Sequence, residues 1–308
     1  MRTNNDNKDF VLCNTLDDCK EYFDIMLFAL FSIIRSTPRA KVKSRALADA
    51  KILLQMMFLK CLNIRQMLDG VGIEQRIGKE SYALPHIIDH ASILSLTRDL
   101  YESFCILELL FIFPDSEEKK EIIYKLFVMN GLNERQKFFH SESYEDKKEQ
   151  EKCQIEELAK EIRASSLYIK LDPENKNKLN QHINNCWFRI IIDKNNNIKK
   201  FKWEKDYELF RIKRDVFADA YGYLSTYSHP SFLSIMQFRT AFDNDKSENE
   251  DYYLLAIRYV IELLSFTIAD SLELFPEIKK EFERMDTTIQ ALILFYNNSF
   301  REKDYFSE

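Results

Sequence analysis

Apolar residues recur at three- and four-residue intervals through most of this chain, and that spacing predicts amphipathic helices. The first runs from Thr15 to about Arg35, the second from about Pro38 to Leu68, the third from about Pro85 to Phe113. In the third, Ile93, Leu96, Leu100, Phe104, Leu107 and Phe111 mark the buried face. Thr15-Leu-Asp-Asp18 has the layout of a capping box variant. Ser36-Thr37-Pro38, Asp69-Gly70 and Pro114 supply the breaks. Asp115-Ser116-Glu117-Glu118 starts a fourth helix with acidic residues where the helix dipole favours them, and Gly131 is expected to end it. A fifth helix is expected from about Asn133 to Ser165, its charged stretch Glu142 to Glu161 forming a solvated face. Asp172-Pro173-Glu174 opens a short helix to about Ile183. Further helices are predicted over about Tyr207–Ser228, Asp251–Leu274 and Glu277–Asn298, with a polar loop from Asp243 to Glu250.

Two stretches lack the helical period. Gly70, Gly72 and Gly78 fall together before Pro85, which predicts a loop. Cys186–Ile192 and Ile198–Trp203 are rich in β-branched and aromatic residues and flank Asp193-Lys-Asn-Asn-Asn197; they read as a small hairpin or an irregular connection. The fold class expected is all-α, with long antiparallel helices in a bundle and one small β-hairpin near 186–203. Residues 1–12 are expected to form a flexible N-terminus. Residues 13–308 are expected to form a single all-α domain with an insertion-like segment near 165–207.

Composition sharpens this picture. Five glycines and six prolines in 308 residues are too few for the many turns of a sandwich or barrel. A net charge of −6 argues against a general nucleic-acid-coating protein and leaves room for a local basic patch. Six cysteines show no CxxC spacing; Cys61 and Cys105 sit in apolar runs and read as reduced core thiols of a cytoplasmic protein. The uncharged run Ile25–Ile34 spans about half a bilayer core, so a buried helix is expected there and no membrane association.

The densest candidate chemistry is Tyr221-Gly-Tyr-Leu-Ser225-Thr-Tyr-Ser-His229-Pro230. Tyr221, Ser225 and His229 are four residues apart, on one helix face, and Pro230 places His229 at a helix end. His229 can serve as general acid or base, or simply cap the last carbonyls. Arg98 and Glu102 lie one turn apart on an apolar helix. They either lock helix packing or let Arg98 hold a phosphate while Glu102 orients it. Arg39, Lys41, Lys43 and Arg45 form a basic cluster that is either a solvated helix start or a phosphate-backbone contact. Arg135 and His140 do not share a helix face well and read as surface decoration. His86 and His90 have the i,i+4 spacing that can chelate a metal, without a third ligand or the Glu of HExxH. The glycines fit neither GxGxxG nor GxxxxGK[ST] and no zinc-type Cys/His spacing occurs, so no metal or other cofactor is expected.

Thr97-Arg98-Asp-Leu-Tyr-Glu102 together with Tyr221-Gly-Tyr-Leu-Ser225-Thr-Tyr-Ser-His229-Pro-Ser231 resembles a bacterial helical family of uncharacterised function. Its members pair an Arg-x-x-x-Glu helix with a Tyr-x-x-x-Ser-x-x-x-His helix. The resemblance covers about residues 40–270 and extends more distantly to the HEPN superfamily of all-α, often dimeric proteins. Many of those are metal-independent ribonucleases of toxin–antitoxin and phage-defence systems, with an Arg-x(4–6)-His motif. The resemblance implies a homodimeric endoribonuclease of a bacterial defence or stress system. His229 would be general acid or base, Arg98 would stabilise phosphate charge and Glu102 would orient Arg98, while Tyr221, Ser225, Arg39 and Lys43 would contact RNA. The alternative expectation is a non-catalytic helical module that dimerises or binds a protein partner, based on 24 phenylalanines and an incomplete catalytic set. Small-molecule or nucleotide binding between the helices, with Arg98 contacting phosphate, is a third. An open cleft lined by Arg98, Glu102 and His229 together with Arg39 to Arg45 favours the enzyme; a fully buried Arg98–Glu102–His229 cluster with no cleft beside it favours the module.

Overall fold

Thr15 opens the first helix as its spacing predicts: its Oγ1 accepts the Asp18 N–H at 3.1 Å, and the Asp18 carboxylate accepts the Thr15 N–H at 3.3 Å. The structure is a computed structural model that describes residues 15–37, 44–138, 145–217, 219–229, 231–243 and 247–301. Helix α1 spans Leu16–Ser36 and α2 spans Arg45–Met67, followed by strands β1 (Val71–Ile77) and β2 (Glu80–Ile87). Helix α3, His90–Leu107, runs on as a π-helical turn over Glu108–Ile112. Then come α4 (Glu117–Gln136), α5 (Glu145–Ala164), α6 (Ser166–Lys170), α7 (Pro173–Asn185), β3 (Ile190–Ile192) and β4 (Ile198–Lys200). A 3-10 turn at Asp206–Phe210 leads into α8 (Arg214–Phe217), α9 (Ala220–Ser228), α10 (Phe232–Asp243) and the long α11 (Ser247–Leu274). After a second 3-10 turn, Pro276–Ile278, the chain closes with α12 (Lys279–Phe282) and α13 (Thr287–Phe300). The fold is thus mostly helical, with two small antiparallel hairpins among the described residues. No helix among the described residues is long and apolar enough to cross a membrane.

The chain divides into two compact units, one built from residues 1–105 and 207–308, the other from Ile106–Asp206. In the first, α1 buries Phe23, Met26, Leu27, Leu30 and Ile33, the helical spacing of a core face, chiefly against α11 and α2. Contacts of Lys20 with Asp69, Arg65 with Asp24 and Lys51 with the Thr37 carbonyl set α1 and α2 antiparallel. Helix α13 lies alongside α11 in the same direction. Ser265 donates to the Ile293 carbonyl at 3.1 Å, and Asn297 Nδ2 donates to Ser265. One turn further along each helix, Arg301 forks onto Asp270 with bonds of 2.6 and 2.9 Å; both side chains are fully buried. The Arg301 guanidinium also lies 5.7 Å from the Phe104 ring and 4.7 Å from that of Phe266.

In the second unit, α4 and α5 pair antiparallel, joined by Lys125 to Glu161 at 3.2 Å and Gln136 to Glu151 at 2.9 Å. Asp172 caps α7 with Pro173 in the first turn, as expected. The predicted hairpin is present: Asp193 takes the Asn195 and Asn197 N–H groups, closing the turn between β3 and β4. The charged stretch on α5 is largely exposed, with Glu151, Ala159 and Ile162 buried beneath it.

Several boundaries differ from the sequence reading. The stretch expected as a loop after Gly70 is the β1–β2 hairpin. Gly78 takes the left-handed φ of +64° that its tight turn requires. Helix α3 therefore begins at His90, where Asp89 accepts the Ser92 N–H, and not at Pro85. His86 lies in β2 and His90 in α3, so the two share no helix face. Gly131 does not end α4, which continues to Gln136, and α5 starts at Glu145 rather than Asn133. The span Tyr207–Ser228 is not one helix. Ile212 bridges to Arg301, and the Lys213 N–H donates to the Phe300 carbonyl, so tertiary pairing overrides helix there. Helix α10 was not anticipated; its start is marked by Ser231 and Ser234, each of which takes the other's N–H. Helix α11 begins at Ser247, inside the expected polar loop, and Asp286 divides the last predicted helix by capping α13.

Removing one member of a buried, hydrogen-bonded ion pair strands its partner's charge. Asp270→Ala is expected to lower the unfolding free energy by about 3–5 kcal/mol in urea titrations, while Asp270→Leu combined with Arg301→Met recovers most of that loss.

Candidate functional site

Arg98 and Glu102 stand one turn apart on α3, and Tyr221 enters from the first turn of α9. Arg98 Nη2 lies 2.9 Å from Glu102 Oε1 and donates to the Tyr221 hydroxyl oxygen at 3.1 Å. That hydroxyl in turn donates to Glu102 Oε1 at 3.0 Å, closing a triangle. The guanidinium carbon also sits 5.2 Å from the Tyr221 ring centre. Arg98 and Glu102 remain 21% and 29% exposed, so the triangle is half-buried at the surface of its unit.

The electrostatics follow from this packing. Burial pulls the Arg98 pKa down, but the Tyr221 hydroxyl and the Glu102 charge outweigh it, and the net direction is up. Burial raises the Tyr221 phenol and Glu102 adds to the rise, against the opposing pull of Arg98. At neutral pH the cluster therefore holds a charged guanidinium and a protonated phenol that serves as a donor. It is arranged for cohesion. A phenolate base or nucleophile is disfavoured at Tyr221.

A row of rings backs the triangle. Tyr221 packs on Tyr101 at 5.8 Å, Tyr101 on Phe217 at 5.7 Å and Phe217 on Phe266 at 6.4 Å. Phe266 meets Phe104 at 6.0 Å, and both lie against Arg301. Tyr101 and Phe217 were not singled out in the sequence, although Tyr101 stands between Arg98 and Glu102. Asp270 and Arg301 carried a usable signal: Asp270 is a lone acidic residue in the apolar run Leu263–Leu272.

Ser225 lies one turn beyond Tyr221, and its hydroxyl donates to the Tyr221 carbonyl at 2.6 Å. His229 is the C-cap of α9 with extended backbone, φ −133° and ψ 142°, the conformation a following proline imposes. It is exposed and lies eight residues past Tyr221, roughly 12 Å along a helix axis. Among the described residues no hydrogen bond or ion pair joins His229 to Arg98 or Glu102. The structure thus brings together Arg98, Glu102 and Tyr221, with Ser225 linked through the backbone, and sets His229 apart. Arg39 and Lys43 lie outside the described residues, as does His140; Arg45 is the exposed first residue of α2. Arg135 pairs with Glu151.

His90, the second member of the histidine pair, is buried between the rings of Tyr227 and Phe238, and burial lowers its pKa despite the nearby Asp89. No group of three metal-ligating side chains occurs among the described residues. A shallow depression runs along α5, lined by Asp146, Glu149, Gln150, Cys153, Gln154 and Glu157, and none of the candidate residues lines it. No protein-family model, curated protein or solved structure matches the chain.

Tyr221→Phe keeps the ring under Arg98 and deletes both hydroxyl bonds. It is expected to cost roughly 1–3 kcal/mol of stability in chemical denaturation. The loss should shrink strongly in an Arg98→Met/Glu102→Leu background, because the three groups act as a unit.

Proposed function

We propose that this chain is a non-catalytic helical protein-interaction module, with the Arg98–Glu102–Tyr221 triangle serving as a clasp between α3 and α9. The observation that carries the proposal is the partnering of Arg98. Its charge is neutralised by Glu102 within the protomer, and the Tyr221 hydroxyl occupies the same guanidinium nitrogen. Both contacts fall on Nη2, so a phosphate that engages that nitrogen competes with them. The acid–base candidate, His229, stands outside that cluster. The first unit also leaves large apolar side chains in water: Phe28 and Phe31 on α1, Ile52, Met56 and Leu59 on α2, and Phe232, Ile235 and Met236 on α10. Where such side chains form a contiguous patch, contact with another protein is the usual cause.

A second reading, a metal-independent ribonuclease, draws support from one observation. The imidazole of His229 is exposed at a helix C-terminus and free to meet a substrate. Under that reading RNA is the partner, and a cation other than the clasped Arg98 completes the site. The two readings part in one assay. Wild type and His229→Ala are incubated with total RNA and with tRNA in EDTA, after circular dichroism confirms that both are folded. The module reading predicts no cleavage by either protein. Cleavage by wild type that His229→Ala abolishes overturns the module and establishes the ribonuclease.

A further inference from the structure

The β1–β2 hairpin is an unusual element for a fold of packed helices. All seven residues of β1 are exposed, on both faces of the strand. Val71, Ile73, Ile77 and Tyr82 are each more than half exposed. A two-stranded ribbon is marginal in water without a third strand or a covering helix. Among the described residues, β1 pairs with β2 alone, so its outer edge carries unpaired N–H and C=O groups. The edge of β2 is less suited to extension, because Pro85 has no N–H to give.

We infer that the outer edge of β1 pairs with β1 of a second copy of this chain, antiparallel, across a two-fold axis beside Gln75. The argument is self-complementarity. Two identical antiparallel strands in one sheet are related by a two-fold axis perpendicular to the sheet, which keeps every side chain on its own face. The axis must therefore pass beside a residue, and each choice fixes every pair. Centred on Gln75, Ile73 meets Ile77 of the other copy, and Glu74 meets its Arg76, twice over. Apolar residues fall opposite apolar ones and opposite charges meet, both of which stabilise cross-strand pairs. Centred one residue earlier, Glu74 faces Glu74; one residue later, Arg76 faces Arg76; like charges directly opposite disfavour both registers. The product is a four-stranded sheet, β2–β1–β1–β2. In each hairpin Tyr82 already lies beside Gln75, on the face that carries Ile73 and Ile77.

The proposal rests on the reading of the chain as an interaction module and names one partner for it. The test is the self-association of the full chain by sedimentation equilibrium over a range of concentrations, for wild type, Glu74→Arg, Arg76→Glu and the double variant. These positions are exposed, and circular dichroism checks that each variant folds. Wild type should dimerise, each single reversal should weaken the dimer about tenfold or more, and the double reversal should restore it. Gln75→Cys should also cross-link to its own copy on oxidation beyond the level seen in wild type, whose own cysteines, exposed Cys153 among them, set the background. Its Cα atoms would sit about 4.5–5.5 Å apart, within disulfide reach. A monomer at all concentrations overturns the proposal. So does a dimer indifferent to the single reversals, or one that the double reversal does not rescue; capture of a different extended peptide on a monomer would do the same. None of those results bears on RNA cleavage, so failure here and failure of the module reading remain distinct.

Discussion

The first unit is organised around one buried ion pair. Asp270 and Arg301 are both withdrawn from water, at a cost that only close pairing and additional contacts can offset. The forked geometry supplies the pairing, and the rings of Phe104 and Phe266 supply further contact with the guanidinium. The pair also fixes backbone. Arg301 bridges to Ile212, and the Lys213 N–H donates to Phe300, so the end of α13 draws the 211–213 segment out of helix. The chain re-enters helix in α8, and after Asp219, whose φ is +63°, α9 starts at Ala220 with Tyr221 in its first turn.

From the ion pair to the clasp the connection is continuous. Phe104 and Phe266 touch the arginine, Phe217 touches Phe266, Tyr101 touches Phe217, and Tyr221 touches Tyr101. Aromatic contacts of this kind each add a modest amount beyond simple burial. Their joint effect is to hold the Tyr221 hydroxyl where it can serve Arg98 and Glu102 together. The half-exposed salt bridge would contribute little by itself. Backed by that row of rings, it becomes a defined junction between two helices distant in sequence.

Much of the helical framework was legible because it rests on local rules. Thr15, Ser116 and Asp172 cap the helices that their spacing suggests, and the Asp193–Asn197 turn makes the expected hairpin. The departures occur where long-range pairing decides the local outcome. Periodicity over Tyr207–Ser228 could not reveal that Ile212 pairs with a residue near the other end of the chain. Glycines at 70, 72 and 78 signal a break in a helix but do not distinguish a loop from an exposed hairpin. At the candidate site, i,i+4 spacing places Arg98 beside Glu102, and the structure adds Tyr221 to the pair. The same spacing could not show which of Tyr221, Ser225 and His229 would reach Arg98: the first does, while the last lies beyond the helix end.

The central claim is that Arg98 is spent on its own fold. Nitrogen-15 NMR of the Arg98 guanidinium in the full chain, titrated with inorganic phosphate and then with a short RNA, tests it directly. The account predicts resonances that mark a restrained, hydrogen-bonded group and that do not move with either ligand. A saturable shift at Arg98 on adding phosphate or RNA would contradict the account and return the triangle to the role of an anion site.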